Sequence, residues 1–162
     1  MKMKHRLPIT KLILFIAIAL IASSCSKGPV YEKYLKMKSN VWDRFAIQEF
    51  EIPIESEGKS YDITLSVRNT DQFQYDELPV YLILTTSSGE ERMREVHMIM
   101  RQNGKMAGTV YGKAFQVQNV IWKSVPITAK GKCKITIENI IPKIQTEGVS
   151  EIGIIMTRAK TE

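Results

Sequence analysis

Cysteine and histidine are scarce in this chain: Cys25 and Cys133, His5 and His97 are all that 162 residues contain. So few, so far apart, cannot supply the clustered ligands of a zinc site. If Cys25 is committed to the role described below, Cys133 stands alone and no intramolecular disulfide is available. Stability must then come from packing. No serine sits in a Gly-x-Ser-x-Gly nucleophile-elbow pattern either. Residues 104–109, Gly-Lys-Met-Ala-Gly-Thr, lack the residue order of a phosphate loop and read as turn chemistry. The acidic stretch 71–77 has neither the alternating carboxylates nor the central glycine of a calcium loop. No repeat or low-complexity block is present, and no motif asks for a cofactor.

Long apolar runs are absent as well, and the longest one is informative. Residues 12–22, LILFIAIALIA, reach about half of the roughly 20 apolar residues a membrane-spanning helix needs. Lys2, Lys4, Arg6 and Lys11 precede or open this run with no acidic residue among them. The run ends in Ala22-Ser23-Ser24, directly before Cys25. A basic start, a short apolar middle and small residues before a cut describe an export signal. A cysteine immediately after the cut between Ser24 and Cys25 supplies the thiol that receives a lipid. Residues 1–24 are therefore expected to be a lipoprotein signal, Cys25 the lipidated (palmitate-bearing) residue, and residues 25–30 a short tether. Four of the 23 basic residues and none of the 17 acidic ones precede Cys25, leaving 19 against 17 in the exported part. A net charge near +2 gives no electrostatic footprint for nucleic acid.

Residues 31–162 suit one domain. Residues 31–45 are read as irregular, with Trp42 packing onto the domain. Beyond them, alternation dominates. Tyr61, Ile63, Leu65 and Val67 face one way, and Asp62, Thr64, Ser66 and Arg68 the other. Cys133, Ile135 and Ile137 alternate with lysine, threonine and glutamate in the same manner. Residues 80–84, VYLIL, are apolar on both faces, as a central or doubly covered strand would be. Residues 50–52, 96–100, 120–122 and 152–156 complete a set of seven or eight strands. Ser87-Ser88-Gly89 and Asn103-Gly104 predict hairpins. Pro53, Pro79, Pro126 and Pro142 are expected at strand ends or edges, since proline donates nothing to a ladder. The expected fold is all-β, an antiparallel β-sandwich, immunoglobulin-like or jelly-roll-like.

His97 falls with Glu95 and Ile99 on the face opposite Val96, Met98 and Met100, as a solvated or hydrogen-bonded strand histidine. Cys133 should be a buried, unreactive thiol. Phe73 and Tyr75, in the acidic loop, are the candidate partner-binding residues. Their rings either grip a protein or sugar from an exposed loop, or fold back to cap the sandwich; the second is favoured. Trp42 and Trp122 are expected in the core or at its edge. No catalytic constellation emerges.

These segments resemble the GldH-type gliding-motility lipoproteins of Bacteroidetes. The resemblance is carried by Val41-Trp42-Asp43, Phe50-Glu51-Ile52-Pro53, residues 61–69 (YDITLSVRN), Leu78-Pro79-Val80-Tyr81-Leu82, residues 104–112 with Trp122, and residues 148–153 (GVSEIG). It implies an accessory, non-enzymatic envelope lipoprotein of the gliding and type IX secretion-associated machinery. Its partners would be the membrane, through the N-terminal lipid, and other envelope proteins, met through the 70–77 loop or an exposed strand edge. Ser26 after the lipid cysteine, with no aspartate, fits outer-membrane sorting, and the absence of an acidic run after Cys25 points to the leaflet facing the periplasm. A lipid-anchored glycan-binding module, using rings such as Phe73, Tyr75 or Trp122, is the alternative. Labelled fatty acid should enter the wild-type protein and not Cys25→Ala; equal labelling of both would refute lipidation at this residue.

Overall fold

The computed structural model describes residues 28–160; the signal segment and Cys25 lie outside them. β1 (Tyr31–Lys36) leads through a 3-10 turn (Lys38–Asn40) into short β2 (Val41–Asp43), then β3 (Gln48–Ile54) and β4 (Lys59–Asn69). β5 (Glu77–Thr85) and β6 (Glu91–Ile99) form a hairpin, and β7 (Arg101–Gln102) and β8 (Lys105–Met106) a smaller one. β9 (Thr109–Tyr111) turns into β10 (Ala114–Ile127), followed by β11 (Gly131–Asn139), β12 (Gln145–Glu147) and β13 (Val149–Arg158). Two antiparallel sheets carry the structure, in the orders β1-β13-β4-β10-β9 and β3-β11-β5-β6. β2 and β12, like β7 and β8, form small ladders of their own. The result is an antiparallel β-sandwich.

Alternation explains why the sheets face each other. β4 buries Tyr61, Ile63, Leu65 and Val67, and β13 buries Ile152, Ile154 and Met156. From the other sheet, β5 buries Leu78, Val80, Leu82 and Leu84, and β11 buries Cys133, Ile135 and Ile137. All belong to one hydrophobic core, with Trp42, Phe50, Phe73 and Trp122. Each such side chain contributes roughly 1.5–3 kcal/mol by leaving water. In β10 the register shifts between Val120, Trp122 and Val125. The bulge turns consecutive Ile121 and Trp122 both inward, which a regular strand cannot do.

Several expectations need correction. The segment 31–36 is a strand, paired with β13 from Tyr31↔Met156 to Lys36↔Glu151. Its alternation is hidden because, at the sheet edge, it packs chiefly through Tyr31, Tyr34 and Leu35, and the Tyr34 ring lies over Gly153. The two main sheets hold five and four strands, more than seven or eight, because β1 and β9 are edge strands too short or too irregular to pattern. Pro79 lies inside β5, an interior strand. Its carbonyl accepts from the Ile140 N–H at 3.3 Å, just past the end of β11, so the absent N–H falls where that ladder has finished. The central position read for 80–84 holds, since β5 lies between β11 and β6; one face is fully covered, and Tyr81 and Ile83 are half-buried on the other.

Cys133 is fully buried. Burial pushes its thiol pKa up, against a smaller opposing effect from a backbone hydrogen bond at Ser87. Thiolate, the reactive form, is thereby suppressed. A maleimide should label the folded protein slowly and the denatured protein fast; rapid labelling under native conditions would place this face wrongly.

Candidate functional site

The two ends of the sandwich differ. At the end where the chain enters, the Val30 N–H donates to the Met156 carbonyl at 2.8 Å, and β13 closes on β4 at Arg158↔Tyr61. The turn at 86–90 and the link at 128–130 share this end, joined by Ser87 Oγ donating to the Ala129 carbonyl at 2.6 Å. The opposite pole gathers the 3-10 turn, the loops 44–47, 70–76 and 140–144, and the 101–106 and 111–114 hairpins. Of nine large apolar side chains left exposed among the described residues, six lie there: Phe45, Ile47, Ile99, Val110, Tyr111 and Ile144. Phe45 is 82% exposed and Ile144 75%. They flank the bond from the Arg44 N–H to the Ile144 carbonyl, 2.9 Å, that extends the β2–β12 ladder.

The core supports this pole from below. Trp42 is buried and donates Nε1–H to the Ala46 carbonyl at 2.8 Å, fixing the loop that presents Phe45. Buried Asn139 donates to Thr146 Oγ1 at 2.7 Å and accepts from the Ile141 N–H at 3.0 Å. Gly148 has φ +82°, and a side chain there would meet the Phe73 backbone nitrogen at 2.2 Å. Only glycine suits both the left-handed backbone and that approach.

Phe73 is therefore not an exposed anchor. It is fully buried, its backbone packed on Gly148, and its carbonyl accepts from Arg101 Nη2 at 2.6 Å. Tyr75 is half-buried and meets the Phe73 ring edge-on at a centroid distance of 5.7 Å. The loop folds back as a cap because burying two rings outweighs displaying them on so tightly bonded a segment. Trp122 is buried as well, so the rings named for glycan contact are largely withdrawn.

Arg68, read in the sequence only as an outward polar residue, organises the outer face of the five-stranded sheet. Its guanidinium lies 3.8 Å from the ring centroids of both Tyr34 and Tyr111. Nη1 pairs with Glu151 and Nε donates to Gln116 Oε1 at 2.9 Å. Burial alone would lower its pKa, but the Glu151 hydrogen bond and the neighbouring groups raise it overall. Strand register brings these residues together: Glu151, Arg68 and Gln116 lie side by side on β13, β4 and β10. An alternating pattern cannot announce such a row, since it needs the order of the strands.

His97 stands on the outer face of the other sheet. Nδ1 lies 2.8 Å from Glu77 and Nε2 3.1 Å from Glu95. The Glu77 hydrogen bond, then that of Glu95, raises its pKa above the ordinary histidine value. Glu77 comes from β5, so the pairing, unlike the location, was not legible.

The fold and its unlike poles define a compact all-β sandwich module. A family model described as GldH lipoprotein matches residues 29–156. The chain is 24% identical over 150 residues to the gliding motility lipoprotein GldH of Flavobacterium johnsoniae, spanning 87% of this chain and 91% of that one. A GldH homolog of Christiangramia forsetii is 23% identical over 148 residues, spanning 86% and 90%. Among solved structures, Pseudomonas aeruginosa AlgX aligns with a TM-score of 0.40 and 14% identity, over 89% of this chain and 30% of that one. The chain belongs to the GldH lipoprotein family, whose members are lipid-anchored proteins of the cell envelope.

With both carboxylates favouring its charged form, His97 stabilises the fold at pH below its unfolded pKa of about 6.5, and this contribution is lost as pH rises through the higher folded value. NMR titration should find a pKa above the ordinary value, falling toward it in Glu77→Gln. An identical pKa in wild type and variant would remove Glu77 as the cause.

Proposed function

We propose that this protein is an accessory, non-enzymatic lipoprotein of the gliding-motility and type IX secretion-associated machinery, held in the outer membrane by lipid on Cys25, facing the periplasm. It works by contact with other envelope proteins at the pole opposite its anchor. The observation that carries this reading is the polarity of the sandwich, with chain entry at one end and the exposed apolar side chains concentrated at the other. Residues 26–30 span at most about 18 Å at ~3.5 Å per residue. The eleven residues of β4 alone rise about 37 Å at ~3.4 Å each. A tether that short holds the entry end near the bilayer and leaves Phe45 and Ile144 beyond the domain's full height. Such side chains are then available to proteins rather than to lipid. Several acyl chains, at about 0.8 kcal/mol per buried methylene, make detachment negligible.

Phe45, Ile47 and Ile144 take the place of Phe73 as the expected anchors. Aromatic and large aliphatic hot spots cost about 2 kcal/mol or more on truncation, on the order of a thirtyfold loss of affinity. The double variant Phe45→Ala/Ile144→Ala should keep the wild-type melting transition but lose in-cell cross-links to envelope partners and fail to complement a strain lacking its own family member. His97→Ala should complement fully. A stable double variant with undiminished cross-links and full complementation would overturn the reading.

A further inference from the structure

A cleft of about 270 Å³ opens on the outer face of the five-stranded sheet, bordered by Asn40, Arg68, Thr70, Tyr111, Lys113 and Glu151. It lies toward the far pole but faces sideways, apart from Phe45 and Ile144. Four features distinguish it from ordinary surface. The Arg68 side chain is only 12% exposed, and its guanidinium carbon lies 3.8 Å from the centroids of two tyrosine rings. With Nε and Nη1 engaged, Nη2 has no hydrogen-bond partner among the described residues. Tyr111, on the edge strand β9, is 54% exposed even though it packs on Arg68. The Thr70 hydroxyl, at the border, is buried without a partner.

Charge decides what kind of ligand suits this arrangement. An arginine already paired with a carboxylate attracts an anion less than a free one does. Here Glu151 compensates Arg68, and the further positive charges nearby, Lys113 in the 111–114 hairpin and Lys36 across the strands from Glu151, are exposed to solvent. What remains is a fixed guanidinium donor beside a carboxylate acceptor, with the Asn40 amide offering one of each. Adjacent hydroxyl groups, each able to donate and accept, complement that pairing. The remaining exposed surface of the Tyr111 ring supplies what aromatic side chains offer at interfaces, a flat apolar area with a polar tip. The C–H face of a pyranose matches it. The volume lies just below the range of ligand pockets, ~300–1,000 Å³, and suits a short saccharide segment rather than a folded protein element.

We propose that this cleft binds a neutral saccharide, with Tyr111 as the stacking platform and the Arg68–Glu151 pair reading neighbouring hydroxyl groups. The proposal does not depend on the partner-docking role of the far pole. The full lipidated protein in nanodiscs would be applied to an array of neutral and acidic oligosaccharides, and affinities for the best neutral trisaccharide measured by calorimetry. Neutral sugars should bind, Tyr111→Ala should weaken binding at least tenfold, and Tyr111→Phe should stay within about threefold of wild type. Glu151→Gln, which frees the Arg68 charge, should shift preference toward acidic sugars. Each variant must retain the wild-type melting transition; Tyr111 is exposed enough for its variants to fold. Binding to no neutral sugar, binding to acidic sugars or an acidic peptide alone, or neutral-sugar binding that survives Tyr111→Ala would each overturn the proposal.

Discussion

Leu65 and Ile154 from one sheet share a continuous, solvent-free interior with Leu82 and Ile135 from the other. Neither sheet could leave those side chains facing water, and with Cys133 the one cysteine among the described residues, no disulfide among them relieves the requirement. The burial consumes the inward face of every long strand. Whatever the protein does to other molecules is consequently confined to the outer faces and the two ends, and these carry very different chemistry. One outer face holds the His97 carboxylate pairs and exposed Glu–Lys bridges such as Lys134–Glu49. The other holds the Tyr34–Arg68–Tyr111 stack.

The same core stiffens the far pole, which would otherwise be a set of unconnected loops. Trp42, Phe73, Asn139 and Thr146 are buried beneath it, and each ties a loop to a strand by packing or a hydrogen bond. Arg101 adds bonds to the Asp71 and Phe73 carbonyls. A surface held this way can present Phe45 and Ile144 in one arrangement, which limits the entropy lost when a partner docks. The entry end has its own bonds, yet among the large exposed apolar side chains only Val30 marks it closely.

Local pattern carried the fold a long way. The alternation at 61–68 and 133–137, and the Asn103-Gly104 turn, with φ of 53° and 73°, were readable because each depends on neighbours in sequence. The fate of β1 was not, since an edge strand with one hydrogen-bonded partner needs no clean alternation. Phe73 was half legible: the favoured reading, a ring folded back as a cap, is what the structure shows, but the contacts that hold it there were not readable. Whether a ring in an acidic loop is displayed or buried turned on Gly148 and Arg101, far along the chain. Arg68 shows a further limit: its meaning arises only when β1, β13, β4 and β9 are placed in order. Burial periodicity is local information, whereas sites are assembled by register.

The account rests on the domain standing with its entry end at the bilayer and the Phe45–Ile144 pole away from it. Single cysteines at Ser88, in the entry-end turn, and at Lys143, in the far-pole loop, can each carry a fluorophore while buried Cys133 stays unlabelled. In vesicles bearing the lipidated protein, a quencher fixed in the lipid headgroups should dim the Ser88 position strongly and the Lys143 position little. Stronger quenching at Lys143 would mean that the apolar pole meets the membrane, and would contradict the account.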